Sequence, residues 1–345
     1  MNERDKLLEI KNLKKYFPIK AIPFKSKASQ VKAVDGVSFD VFKGETLGIV
    51  GESGSGKSTL GRTILRLLEP TDGEIIFEGN NLEKLNNRQL NGYRKHMQMV
   101  FQDPFASLNP RMRVKDLVGE PLALQKTLSK AEQARQVLDI VEKVGLTKSS
   151  LSKFPHEFSG GQRQRIGIAR VLSMNPKLII ADEPVSALDV SVQSQVLNLM
   201  MDLQDEFKLT YLFISHDLSV VKHISDRVGV MYLGRIVEIG PKSNIYVNPL
   251  HPYTQALLSS IPIANFDVKK EKIQLEGEPP SPSNPPPGCT FHTRCPHAFD
   301  RCKIERPELV EQSNGQYVAC HLYNAVTINN ETSKNDKNKI LVVQS

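Results

Sequence analysis

No stretch of the 345-residue chain approaches the roughly 18 or more apolar residues that a membrane-spanning helix requires. The opening Met1-Asn-Glu-Arg-Asp-Lys6 has no apolar centre of the kind a secretory leader carries. These two absences predict a cytoplasmic chain. Cysteine is scarce: all four fall between residues 289 and 320, which excludes a framework of disulfides through the body of the protein. There is no long heptad run and only one phosphate-binding loop, which argues against a two-engine mechanical clamp working on nucleic acid or ribosomes. The formal charge of +7 does not form a patch either, because lysine and arginine are spread along the chain apart from Lys334-Asn-Asp-Lys-Asn-Lys339. A solvated surface accounts for it, and no nucleic-acid partner is expected.

What the sequence does contain is organised around Gly51-Glu52-Ser53-Gly54-Ser55-Gly56-Lys57-Ser58. The run enters from the apolar Thr46-Leu-Gly-Ile-Val50 and leaves through Thr59-Leu-Gly-Arg-Thr-Ile-Leu-Arg66. A glycine-rich turn between a strand and a helix lets successive backbone N–H groups face phosphate oxygens, and the helix adds the positive end of its dipole. Lys57 is expected to reach the β- and γ-phosphates, with Ser58 offering its hydroxyl to Mg²⁺. A nucleoside triphosphate is the expected ligand.

The flanks read as an α/β domain. Leu7 to Leu13 suits an opening strand, and Tyr16 or Phe17 just beyond it could stack on adenine. Pro18 to Lys32 reads as a polar loop, Val34 to Phe42 as a second strand and Glu74 to Glu78 as another, giving an antiparallel flank. Met97 to Gln102 is a strand ending in a glutamine, whose amide can coordinate Mg²⁺ or position water. From Asp116 to about Leu151 helix formers dominate, so a mostly helical insert is expected over about 103–158. Ser159-Gly160-Gly161-Gln162 opens a further helix, and its free N–H groups make a second anion-binding device. Leu178-Ile-Ile-Ala-Asp182-Glu183 is a buried strand delivering two acids, Asp182 for Mg²⁺ through water and Glu183 as general base. Tyr211 to His216 is another buried strand, with His216 placed to contact the γ-phosphate.

In this order the phosphate loop, Gln102, Ser159 to Gln162, the acid strand, Ser186-Ala-Leu-Asp189 and His216 resemble the ABC-transporter ATPase family. The resemblance implies that two subunits meet head to tail, the serine-glycine signature of one closing on the nucleotide of the other. The family usually begins that signature with leucine, where this chain has Phe158. A closer resemblance is to the ATP-binding subunits of oligopeptide and dipeptide importers, which also include nickel importers. It rests on Phe101-Gln-Asp-Pro-Phe-Ala-Ser-Leu-Asn-Pro-Arg111, His251-Pro-Tyr-Thr-Gln-Ala-Leu257 and the proline-rich stretch before the cysteines. It implies a second ATPase subunit, usually a paralogue, two integral membrane permease subunits, an extracytoplasmic peptide-binding protein, and a place on the cytoplasmic face of the membrane. Expected boundaries are an ATPase domain over 1–262, a proline-rich linker and cysteine appendage over 263–323, and a polar, disordered tail over 324–345.

Cys289, Cys295, Cys302 and Cys320 are spaced C-x5-C-x6-C-x17-C. In a reducing compartment this suggests a metal site, and four thiolates suit Zn²⁺ or a [4Fe-4S] cluster equally well on spacing. Under zinc, His292, His297 or His321 could substitute as ligands. The subgroup resemblance implies the cluster, in a structural role.

Overall fold

The computed structural model describes residues 5–19, 29–103, 107–125, 128–261, 273–313 and 315–323. The polar tail, most of the loop after Pro18, residues 104–106 beyond Gln102 and the linker residues 262–272 lie outside the described residues. In chain order the strands are β1 (Lys6–Ile19), β2 (Ser29–Phe42), β3 (Thr46–Val50), β4 (Asp72–Phe77), β5 (Asn80–Asn81), β6 (Met97–Val100), β7 (Leu178–Asp182), β8 (Thr210–Ile214), β9 (Arg227–Tyr232), β10 (Arg235–Pro241), β11 (Val310–Ser313) and β12 (Gln316–Val318). They form two sheets, ordered β2-β1-β4-β5 and β11-β12-β10-β9-β3-β8-β7-β6.

The smaller sheet is the antiparallel flank. Its hairpin runs further than the side-chain pattern indicates: Tyr16 pairs with Lys32, Phe17 with Val31 and Ile19 with Ser29. The alternation that would mark these residues as strand is broken by register shifts near Leu13 and Lys15, and Asn12 takes a left-handed φ of 48°. A bulged strand keeps its ladder while its faces change over, so periodicity underestimates it.

The larger sheet positions the chemistry. β3 is parallel to β8 and β9, and β7 is parallel to β8 and β6. Every residue of β3, β7 and β8 is buried. Strands covered on both faces are written as continuous apolar runs, which is why these three are legible in the sequence. Their shared direction gathers the C-terminal ends of β3, β6, β7 and β8 on one edge, where a doubly wound sheet binds its ligands.

The expected insert is helical, with helices Val114–Gln125 and Lys130–Lys143, the latter opened by a capping box between Ser129 and Glu132. Val118, Val137 and Val141 join one core with Ile166 and Val171 of the signature helix Gly160–Leu172.

The expected appendage is built onto the larger sheet. β12 pairs with β10 through Glu238–Val318 and Ile239–Tyr317. Gly240 allows the approach, since a Cβ there would lie 3.0 Å from Gln316 Cα. Buried Glu238 accepts hydrogen bonds from the backbone of Leu250 and His251 and from Gln316 Nε2, at 2.8, 2.9 and 2.7 Å. Short polar strands of three or four residues carry little periodic signal, so this joint was not readable from the sequence.

Candidate nucleotide site

A cleft of about 640 Å³ opens at the carboxyl edge of the large sheet. Its walls include Ser53, Gly54, Gly56, Lys57, Ser58 and Thr59 of the loop, with Gln102, Glu183 and His216 opposite. The glycines have distinct duties. Gly51 and Gly56 sit where a Cβ would fall 2.1 Å from the Met231 carbonyl oxygen and 2.0 Å from that of Ala33. Gly54 faces open space but has a φ of +79°, so there it is the backbone conformation that calls for glycine.

Lys57 begins the helix Lys57–Ile64 and is buried. Its ammonium donates to the carbonyls of Gly51 and Glu52, at 2.8 and 3.0 Å, and lies 3.4 Å from Ser55 Oγ. Burial lowers its pKa, opposed by the negative charges of Glu183, Asp182 and Glu52. A desolvated cation facing a cleft is poised to gain from an incoming phosphate.

Ser58 Oγ donates to Asp182 Oδ1 at 2.7 Å. The other carboxylate oxygen, Oδ2, is buried without a hydrogen-bond partner, and the Arg62 guanidinium is 3.7 Å from it. Burial pushes the Asp182 carboxyl up, with Ser58 and Arg62 pulling the other way. A serine hydroxyl and an orphaned carboxylate oxygen beside a phosphate loop fit a magnesium ion.

Glu183, the next residue, is held from two sides. Gln102 Nε2 donates to its Oε2 at 2.9 Å, and His216 Nδ1 is 3.1 Å from its Oε1. Its backbone takes a φ of +47°, uncommon for a residue with a side chain, and its N–H donates to the Ile214 carbonyl at 2.9 Å. Such a conformation turns the carboxylate out of the strand direction toward the cleft and persists only when the surroundings hold it.

Of the two candidate aromatics, Phe17 lines the cleft with Val31 and Ala33. Tyr16 is not among its walls; the phenol donates to the Asp35 carboxylate, which also binds the Arg235 guanidinium. Neighbouring residues of a strand face opposite ways, so only one of the two can face the cleft. Ser159, Gly160, Gly161 and Gln162 are likewise not among the walls of the cleft. They form a helix start in which Ser159 and Gln162 are exposed and Gly161 is buried, capped by a reciprocal pair: Gln162 N–H donates to Ser159 Oγ, and Ser159 N–H to Gln162 Oε1. Phe158 is buried in the core and does not face the exposed turn.

Sequence reasoning missed three contributors. Tyr253 Oη accepts the Glu52 N–H at 2.9 Å, Arg294 forks onto the Glu52 carboxylate, and Pro282 lines the cleft. They lie about 200 residues or more beyond the loop, and no local signal connects them to it.

The four thiols lie near one another but do not form a metal cage. Burial is the main cause that pushes Cys289 up to about 11 and Cys320 up to about 12, and the neighbouring cysteines add to the rise. Among the described residues no group of three or more His, Cys, Asp or Glu side chains is arranged to hold a metal ion. His292 Nδ1 is 2.8 Å from the Cys289 carbonyl oxygen and His321 Nε2 is 2.9 Å from that of Glu305, so each spends a ring nitrogen on the backbone. The arrangement does not by itself favour either the cluster or zinc.

Comparison with known proteins is consistent with this geometry. The ABC transporter family model matches residues 34–186, and the model for the oligopeptide/dipeptide transporter C-terminal region matches residues 237–302. The oligopeptide transport ATP-binding protein AppF of Bacillus subtilis (strain 168) is 59% identical over 93% of this chain and 98% of its own. The dipeptide transport ATP-binding protein DppF of Haemophilus influenzae is 52% identical over 93% and 98%. Among solved structures, an ATP-binding cassette dimer in a post-hydrolysis state with ADP and Pi is similar at a TM-score of 0.60 and 28% identity, over 68% of this chain and 99% of that one. CbiO1 from Clostridium perfringens, part of an ABC transporter complex, matches at a TM-score of 0.61 and 28% identity, over 71% and 92%. With the phosphate loop, the paired acids and a C-terminal segment matched on both counts, the chain belongs to the ATP-binding proteins of the ABC-transporter family, in the oligopeptide/dipeptide group.

Proposed function

We propose that this chain binds and hydrolyses ATP to drive an importer of oligopeptides or dipeptides, two cassettes closing head to tail on the nucleotide. The observation that carries this is the placement of Glu183 between Gln102 and His216, across the cleft from Lys57, while the signature turn lies outside the same cleft. Half of the phosphate-binding apparatus is then left for a second subunit, and the dimeric cassette among the structural relatives supports that arrangement.

Within the cleft, Lys57 and the loop N–H groups hold the β- and γ-phosphates and Phe17 stacks on the base. Ser58 and Gln102 directly, and Asp182 through water, would hold Mg²⁺, which would neutralise phosphate charge. Glu183 accepts the proton of the attacking water, and His216 aligns the carboxylate and reaches the γ-phosphate. The assignments of Gly51 to Thr59 as the cradle, and of Ser159 to Gln162 as the turn lent to the neighbour, belong to the same reading.

Membrane subunits dock on a second cleft of about 640 Å³, lined among others by Leu67, Phe101, Leu108, Pro121, Leu124 and Met174. Leu67, Phe101 and Leu124 are 51, 41 and 77% exposed, an apolar cost that a partner surface would relieve. No helix among the described residues is long and apolar enough to cross a membrane. In this reading the chain sits peripherally on the cytoplasmic face, with two permease subunits, a second cassette and an external peptide-binding protein completing the importer. The ATPase core over 1–262 and the segment 263–323 act as one body. A structural [4Fe-4S] cluster there would have to regather the four thiols into a cage, and iron with acid-labile sulfide in anaerobically prepared protein tests it.

Glu183→Gln tests the central assignment. Removing a general base and leaving a hydrogen-bonding isostere should lower turnover by about 10²–10⁴-fold, with ATP affinity retained. Hydrolysis near the wild-type rate would remove Glu183 from this role.

A further inference from the structure

The C-terminal segment reaches the phosphate loop directly. Arg294, whose side chain is 7% exposed, donates from Nη1 to Glu52 Oε2 at 2.9 Å and from Nη2 to Oε1 at 3.2 Å. Fork-on-carboxylate pairing fixes orientation as well as charge, and burial of the guanidinium limits solvent screening. Both partners are anchored. Glu52 is the second residue of the loop; its N–H donates to Tyr253 Oη and its carbonyl accepts from Lys57. Arg294 follows Phe291, a fully buried ring packed on Tyr232 and Tyr253 with centroids 5.3 and 5.4 Å apart. A second strut comes from Pro282, which lines the cleft and accepts the Lys32 N–H at 3.1 Å.

Glu52 on its own works against the site. A carboxylate inside a loop that gathers a triphosphate repels the ligand, and low-dielectric surroundings strengthen that repulsion. Removing the charge at its source would also remove the group that the Arg294 fork grips. We propose that Arg294 is a positioning residue of the nucleotide site: it neutralises Glu52 and pins the phosphate loop, making the C-terminal segment part of the ATP-binding apparatus. This rests on the reading that the loop binds ATP.

Titration of the full chain with a fluorescent ATP analogue and Mg²⁺, alongside steady-state hydrolysis, tests the proposal. R294M should weaken nucleotide binding about tenfold and raise KM to match, with kcat at saturation changed by no more than about twofold. R294K should recover part of the loss, because it restores the charge without the fork. R294M/E52Q should bind several-fold more tightly than R294M, since the repulsion goes with the acid, but short of wild type, since the fork that pins the loop is still missing. E52Q alone leaves Arg294 uncompensated beside the loop and should bind ATP more tightly; it serves if R294M does not fold. Wild-type affinity in R294M, a double variant as weak as R294M, or weakened binding by E52Q would each overturn the proposal. Failure of the wild-type chain to bind the analogue would instead overturn the nucleotide reading, with K57A as the non-binding control.

Discussion

His251 shows how a single side chain can tie the fold to pH. Its ring is buried at the start of the helix Pro252–Ser259 and accepts the Tyr253 N–H at Nδ1, a bond available only to the neutral form. Burial drives its pKa down to about 3. In the unfolded chain it would titrate near the ordinary value of about 6.5, so as pH falls below that point the unfolded state takes up a proton that the folded state refuses. Stability from this group is present above about pH 6.5 and is lost progressively toward pH 3. Urea melts at pH 6.5 and pH 5 should show the wild type losing about 2 kcal/mol more than His251→Gln; equal losses would mean that the ring protonates in place. Glu183 is a contrasting case, because its φ of +47° is a backbone cost that the proposed general base would repay in chemistry rather than in stability.

At the scale of elements, the parallel strands serve as rails and the helices that follow them as spacers. The helix Leu218–Ile224 packs on β3 through a gap that only glycine leaves open. A Cβ at Gly48 would meet Val221 Cγ1 at 2.4 Å and Ser225 Oγ at 2.5 Å. Two contacts this short cannot both be relieved by one rotamer change, so the helix must move off the strand. Gly48→Ala is expected to destabilise the chain by about 1–3 kcal/mol, measured as a lowered Tm. Because His216 lies between β8 and this helix, hydrolysis should fall further than the loss of folded protein explains. An unchanged Tm would show that the helix tolerates the shift. The strands β11 and β12 illustrate the other kind of element, too short to be specified by pattern and held by the edge of β10 and by Glu238.

For the whole molecule, the separation of the signature turn from the chain's own cleft is the fact with the widest consequence. Ser159 and its capping partner Gln162 are both exposed. If a neighbour's cleft is its destination, ATP turnover per chain should rise with protein concentration. Ser159→Arg should then reduce turnover by about 10²-fold or more while ATP binding by the isolated chain is unchanged. A rate per chain indifferent to dilution and to Ser159 would mean that one chain hydrolyses ATP alone. The second cleft, proposed above to take the membrane subunits, has a different lining that includes Phe101 and residues of the helix Val114–Gln125. Docking at the second cleft would touch Phe101, the chain neighbour of Gln102 in the nucleotide cleft, so the two proposed events would be adjacent in the chain.

Much of the fold was legible because its central strands are buried on both faces and its phosphate loop has one geometric solution. The run into Gly51, the two acids after Ala181 and the histidine after Ser215 each declare a strand end, and chain order alone lines them up. Their convergence follows from parallel pairing, which the apolar runs of β3, β7 and β8 already demand. Tertiary structure alone decided the rest. It chose Phe17 over Tyr16 for the cleft, because strand facing depends on a bulged register. It placed Arg294 on Glu52 across 242 positions, and joined β12 to β10. Contacts of this kind depend on where distant backbone segments meet, and a one-dimensional pattern records periodicity along a chain but nothing of its meeting points.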